Sequence, residues 1–208
     1  MPKDPVSDTA VTGWAVRAFD AGDRAGIRAP KSSVAGARAF VEWVTGKSGG
    51  LVGYLDPDGA GLKVTGHHDE FDYHVGSMTA LGIPLQLLAD PKPDKATAAW
   101  LKTAVHAVLF KDPPTVRTPL AVDDYDWHQA AEAWSLLDSR GFEQLAEAGS
   151  PWRKVLVEVL MPLQSAASDK CSSGGWLAPD RWSYAAGPVY STAVNLLSLE
   201  RVEALSRD

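Results

Sequence analysis

Two stretches of this chain bring together side chains able to do chemistry. The first is Asp123, Asp124 and Asp126, followed by His128. Carboxylates this close at a helix start can share a proton, hold a divalent cation or bind a cationic ligand, which makes all three the candidate catalytic acids. The same spacing has a simpler use, because aspartate is a favoured N-cap and acidic groups complement a helix N-terminus. Trp127 and Trp134 stand seven residues apart, on one helical face. With His128 and Tyr190 they are the candidate ligand-binding residues, and core packing is the plainer role for the two indoles. The second stretch is His67-His68-Asp69-Glu70 with Asp72 and His74. Its residue types suit zinc or another transition metal, with His67, His68 and His74 as the candidate ligands. It lacks the helical or repeated spacing of a built zinc site, and a solvated loop is the plainer account of it. Cys171 is the only cysteine, so no intramolecular disulfide and no multi-cysteine metal site is possible. No nucleophile elbow, phosphate loop or dinucleotide fingerprint is present, and no cofactor is expected.

Helices must position these residues. Asp8 opens a pattern with Val11, Trp14, Ala15, Ala18 and Phe19 at helical spacing, ended by Gly22 and Gly26. A second helix is expected from Ser32 to Thr45, capped by Ser32 or Ser33, and a third from Ser77 to Ala89 with Pro84 inside. Asp94 caps a fourth that reaches Phe110, and Asp123 or Asp124 starts a fifth that stops at Gly141. A partly helical piece leads to Ser150-Pro151, which opens a sixth helix to about Ala167 with a kink at Pro162. The last helix spans about Tyr190 to Ser206. Helices starting near Val11, Met78, Trp127 and Tyr190 are rich in small and aromatic residues, as inner helices crowded on two sides would be. Those starting near Ser33, Lys95 and Trp152 carry one apolar stripe, as outer helices do.

Bulk properties narrow the partners. The 208 residues carry a net charge of −6, with 45% hydrophobic and 22% charged residues. That balance fits a globular domain, expected over 11–208 after a flexible 1–10 segment, and argues against nucleic-acid binding, which needs clustered Lys and Arg. No apolar run is long enough to span a bilayer, and the N-terminus has no signal-peptide pattern. The compartment is open.

The chain also repeats itself. Ser173-Gly174-Gly175-Trp176, then Val189-Tyr190-Ser191-Thr192-Ala193, matches Ser48-Gly49-Gly50-Leu51, then Ser77-Met78-Thr79-Ala80. Together with Val11-Thr12-Gly13-Trp14-Ala15, these segments resemble repeats of the squalene-cyclase/prenyltransferase α/α toroid superfamily, closest to bacterial squalene-cyclase-like repeat proteins. The resemblance implies an all-α fold, a partial α/α toroid of helical hairpins with about seven main helices in inner and outer layers. It implies a binding or scaffold module that takes a ligand or partner on its concave inner face. An apolar small molecule, a protein, or a second copy of the chain is the candidate partner. The alternative it implies is a terpene-cyclase-like lyase or isomerase, with the Asp123–Asp126 cluster as acid and an aromatic-lined cavity. The acid motif of the cyclases is not matched in order by Asp123-Asp124-Tyr125-Asp126, and Cys171 lacks the partners of a prenyltransferase zinc site.

Overall fold

The computed structural model of the protein describes residues 7–45, 50–57, 75–89, 93–109, 113–116, 122–166, 173–177 and 183–204. These residues are all-α, with no strand longer than an isolated bridge. The helices are α1 (Thr9–Arg24), α2 (Lys31–Val44), α3 (Val75–Ala89), α4 (Lys95–Ala104), α5 (Asp124–Ser139), α6 (Glu143–Ala148), α7 (Ser150–Leu163) and α8 (Ser183–Ala204). A π-helical turn, Val105–Leu109, continues α4. The described residues form two compact units, one ending at Val108 and the other beginning at Leu109.

Each unit is built on the same frame. In the first, the Asp8 carboxylate accepts a hydrogen bond from the Val11 N–H at 2.7 Å and so caps α1. After sixteen residues of helix the chain turns at Gly26, whose φ of 81° lies in the left-handed region. The Gly26 N–H reaches the Asp23 carbonyl at 3.0 Å and the Ile27 N–H reaches Gly22 at 2.8 Å, the paired bonds of a Schellman ending. In the second unit Asp123 caps α5 through the Asp126 N–H at 2.9 Å, and after sixteen residues of helix Gly141, with φ 79°, closes it. The Gly141 N–H meets Asp138 at 3.0 Å and the Phe142 N–H meets Leu137 at 2.9 Å. Every one of these positions recurs 115 residues on.

The frame continues alike in both units, apart from the short α6 inserted before the return helix of the second. A return helix of 14 residues follows in both units, α2 in the first and α7 in the second. Its C-cap, Thr45 or Gln164, forms an isolated antiparallel bridge with Val52 or Trp176. Two residues before each bridge stands a glycine with positive φ, Gly50 at 67° and Gly174 at 80°. The bridge residue then donates its N–H to a threonine hydroxyl on the next long helix. Val52 reaches Thr79 at 2.9 Å, and Trp176 reaches Thr192 at 3.1 Å. The repeat expected from the glycine pairs is therefore present, but one residue out of register: Gly50 corresponds to Gly174, because backbone dihedral rather than residue type decides the match.

Within the first unit, α1 packs mainly on α3, around a core of Val16, Val41, Leu81 and Leu85. Gly13 lets α1 approach closely, since a Cβ there would fall 2.6 Å from the Leu81 side chain. Within the second unit, α5 packs mainly on α8. Its buried apolar residues include Trp127, Trp134, Leu137, Leu156, Leu160 and Trp176, and the Trp176 indole donates to the Leu160 carbonyl at 2.8 Å.

Several local expectations need adjustment. The cap of α2 is Pro30, with no side-chain bond from Ser32 or Ser33. Ser150 lies inside the first turn of α7, where its hydroxyl accepts from Arg153 at 3.2 Å, and Gly149 takes the cap position. Pro162 sits in the last turn of α7, next to its end at Leu163. The assigned α8 is two segments, broken at Gly187 (φ 73°, ψ −178°) before Pro188. Of the four helices expected to be crowded on two sides, α3 is buried continuously from Ser77 to Leu87 and α5 from Trp127 to Trp134. The other two, α1 and α8, bury one side only.

Candidate functional site

The site is built from the facing stripes of α5 and α8. On α5, Asp124, His128 and Glu132 recur every four residues and so share a face. On α8, Ser191, Asn195, Ser198 and Arg201 do the same at spacings of three and four. Two contacts register the stripes. The Ser198 hydroxyl lies 3.5 Å from His128 Nδ1, and Arg201 Nε donates to Glu132 Oε1 at 2.6 Å. Both contacts advance in the same sense, so α5 and α8 run parallel. One turn toward their N-termini, the stripes continue to Asp124 and Asn195.

This seam is polar and buried. Asp124, Ser191, Asn195 and Ser198 have no exposed surface, and His128 retains 2%. Ser198 donates its own proton to the Val194 carbonyl at 2.8 Å. The long contact to His128 therefore asks Nδ1 to carry the imidazole proton, which leaves Nε2 as an acceptor in the neutral ring. Glu132 and Arg201 close one end as a partly buried ion pair. Asn195 is different. Neither its amide nitrogen nor its amide oxygen meets a hydrogen-bond partner among the described residues, and the Ser191 hydroxyl meets none either. A buried polar group left so costs about 1–3 kcal/mol.

The first unit supplies an internal comparison. Placing Thr192 on Thr79 puts Ser191, Val194, Asn195 and Ser198 on Met78, Leu81, Gly82 and Leu85. The α1–α3 seam is accordingly apolar, with Leu81 and Leu85 in its core. The frame therefore does not require a polar seam, and the polar residues of α8 belong to this seam alone.

The residues singled out from sequence divide as follows. Asp123 is the N-cap of α5, and Asp124 lies buried in its first turn. Asp126 is half-buried and gives its N–H to Asp123. Trp127 and Trp134 are buried, Trp134 so tightly against Gly149 that a Cβ there would fall 2.5 Å from the indole. Tyr190 is half-buried on α8, one residue before Ser191. Among the described residues no group of three or more His, Cys, Asp and Glu side chains is arranged to hold a metal ion. His67, His68 and His74 lie outside the described residues, as does Cys171. His106 is exposed on the π-helical turn. Among the described residues no helix is long and apolar enough to cross a membrane.

Sequence reasoning missed Gln129, Glu132, Ser191, Asn195, Ser198 and Arg201. The signal was available: in a helix of small and aliphatic residues, Ser191, Asn195 and Ser198 fall at i, i+4 and i+7. Comparison of the chain with protein-family models, with curated proteins and with solved structures finds no match.

Proposed function

We propose that the protein is a non-catalytic binding module, a partial α/α toroid whose ligand is read by the α5–α8 seam. The observation that carries this reading is the fully buried Asn195 amide beside Ser191, neither with a partner among the described residues, where the equivalent positions of the first unit are Gly82 and Met78. An amide offers a donor pair and an acceptor, and a hydroxyl offers one of each. The ligand chemistry they fit is a neutral polar group, an amide or hydroxyl, on a molecule whose remainder packs against apolar surface. The toroid reading is supported by the recurrence of one frame in both units and by the parallel course of α5 and α8, which a return helix joins in the chain order. The cyclase-like alternative, with Asp124 or Asp126 as the acid, gains nothing from Asp123, whose carboxylate caps α5. A high-resolution crystal structure of the protein as purified tests the proposal. Density larger than water against Asn195 and Ser191 is expected. Ordered water alone on both groups would refute it and leave a structural polar seam.

A further inference from the structure

Asn195 also selects among the polar groups that the seam could take. Its planar side chain presents a donor edge and an acceptor edge side by side, both without partners among the described residues. Ser191 stands one helical turn earlier on the same face of α8, its Cβ about 6 Å away, and its hydroxyl has no partner there either. Ser198, the next polar residue of the stripe, already donates to the Val194 carbonyl at 2.8 Å. Recognition therefore falls on Ser191 and Asn195, at the end of the seam away from the Glu132–Arg201 pair. The group that answers them must hold a donor and an acceptor in one plane and keep one of either for Ser191.

The candidates separate on that inventory. An ionised carboxylate only accepts, so it leaves Asn195 Oδ1 unanswered. It also brings negative charge to the level of Asp124, which has no exposed surface, while the Arg201 guanidinium is held by Glu132 at 2.6 Å. An ammonium only donates and leaves Asn195 Nδ2 unanswered. A hydroxyl carries both roles on one atom and cannot align with the two edges at once. A primary carboxamide closes a ring of two parallel N–H···O bonds with Asn195. It retains a second N–H and a second carbonyl lone pair, either of which suits the Ser191 hydroxyl. We infer that the ligand of the α5–α8 seam presents a primary carboxamide, on a free small molecule or as an asparagine or glutamine side chain of a peptide. This rests on the reading of the seam as a binding site and narrows it.

Three six-carbon probes that differ only in the polar group test the choice. Hexanamide, 1-hexanol and hexanoate are titrated at neutral pH into the full chain, followed by the side-chain amide resonance of Asn195, which is identified by its loss in Asn195→Leu. Hexanamide is expected to saturate the shift, with 1-hexanol at least about tenfold weaker and hexanoate about a hundredfold weaker. Calorimetry should show hexanamide binding abolished in Asn195→Leu and weakened several-fold in Ser191→Ala, each variant shown by circular dichroism to be folded. A short peptide with one glutamine, controlled by its glutamate counterpart, separates the two sources: saturation by the peptide assigns a side chain, and saturation by hexanamide alone assigns a small molecule. Equal or tighter binding of the alcohol or of hexanoate would overturn the inference while leaving a binding seam. So would unchanged hexanamide binding in Asn195→Leu, or the failure of both carboxamides to bind. Ordered water alone on Asn195 and Ser191 in the crystal would instead remove the reading beneath it.

Discussion

Replacing Asn195 with leucine should make the ligand-free protein more stable. Asparagine and leucine have nearly the same shape, so the substitution changes polarity while leaving little cavity. Asn195 has no exposed surface, and its amide presents two groups without partners among the described residues. At about 1–3 kcal/mol for each unsatisfied group, the native residue costs the folded state about 2–6 kcal/mol relative to an apolar side chain. Imperfect shape matching takes back up to about 1.5 kcal/mol. A net gain of at least about 0.5 kcal/mol remains, which in a protein of this size raises the melting temperature by about 2–4 °C per kcal/mol. Urea unfolding followed by circular dichroism, with hydrogen exchange at the α8 amides, measures it. Natural proteins retain such a cost where a site needs the polar group, which is the usual trade between stability and activity. A loss of stability in ligand-free Asn195→Leu would refute the reasoning, since it would mean that the folded protein satisfies the amide by itself.

Three further outcomes follow from the geometry. Asp123→Ala should cost about 1 kcal/mol through loss of the α5 cap, while Asp123→Asn keeps an acceptor and should cost much less; equal losses in thermal melts would point to a role for the charge itself. Gly149→Ala should cost more than Gly13→Ala, about 3 against about 1 kcal/mol in denaturant titrations, because the first drives a Cβ into the buried Trp134 ring and the second meets the movable tip of Leu81. Asp94 is held below the usual 3.8 chiefly by the backbone N–H of Thr97, so its folded value lies under its unfolded one. Its stabilisation of α4 is then present above the unfolded value and lost as pH falls through the folded one. Asp94→Asn should flatten that acid limb in melts taken between about pH 5 and pH 2.

The helices were readable because their punctuation is chemical. Asp8, Asp94 and Asp123 cap as their types predict, and Gly26 and Gly141 end their helices for want of a Cβ. The repeat was readable only in its second half. Its first half, Asp8 to Gly26 against Asp123 to Gly141, shares the cap, the closing glycine and the length between them but only Ala15, Ala18 and Asp23 besides, too little for similarity of residue type to expose it. The glycine pairs misled by one residue because either glycine of Gly49-Gly50 or Gly174-Gly175 looks able to take the turn. The candidate site was half legible. Acids beside tryptophans drew notice to α5, whereas Ser191, Asn195 and Ser198 on α8 passed as the small residues that close packing requires. Their significance appears only when Leu85 and Gly82 are seen at the same places in the other unit.

The threonine latch closing each turn spans very different lengths of chain. It joins residues 27 apart between Val52 and Thr79, but only 16 apart between Trp176 and Thr192. Closing the longer segment costs about 0.5 kcal/mol more in chain entropy, since that cost grows only with the logarithm of length. The two latches nevertheless have almost the same bond length. This connection is therefore the place where the frame accepts added sequence at small expense, and it is the natural graft point for anyone wishing to give the scaffold a new recognition loop. A peptide of ten or so residues set between Trp176 and Thr192 would only restore the span that the other half of the molecule already carries.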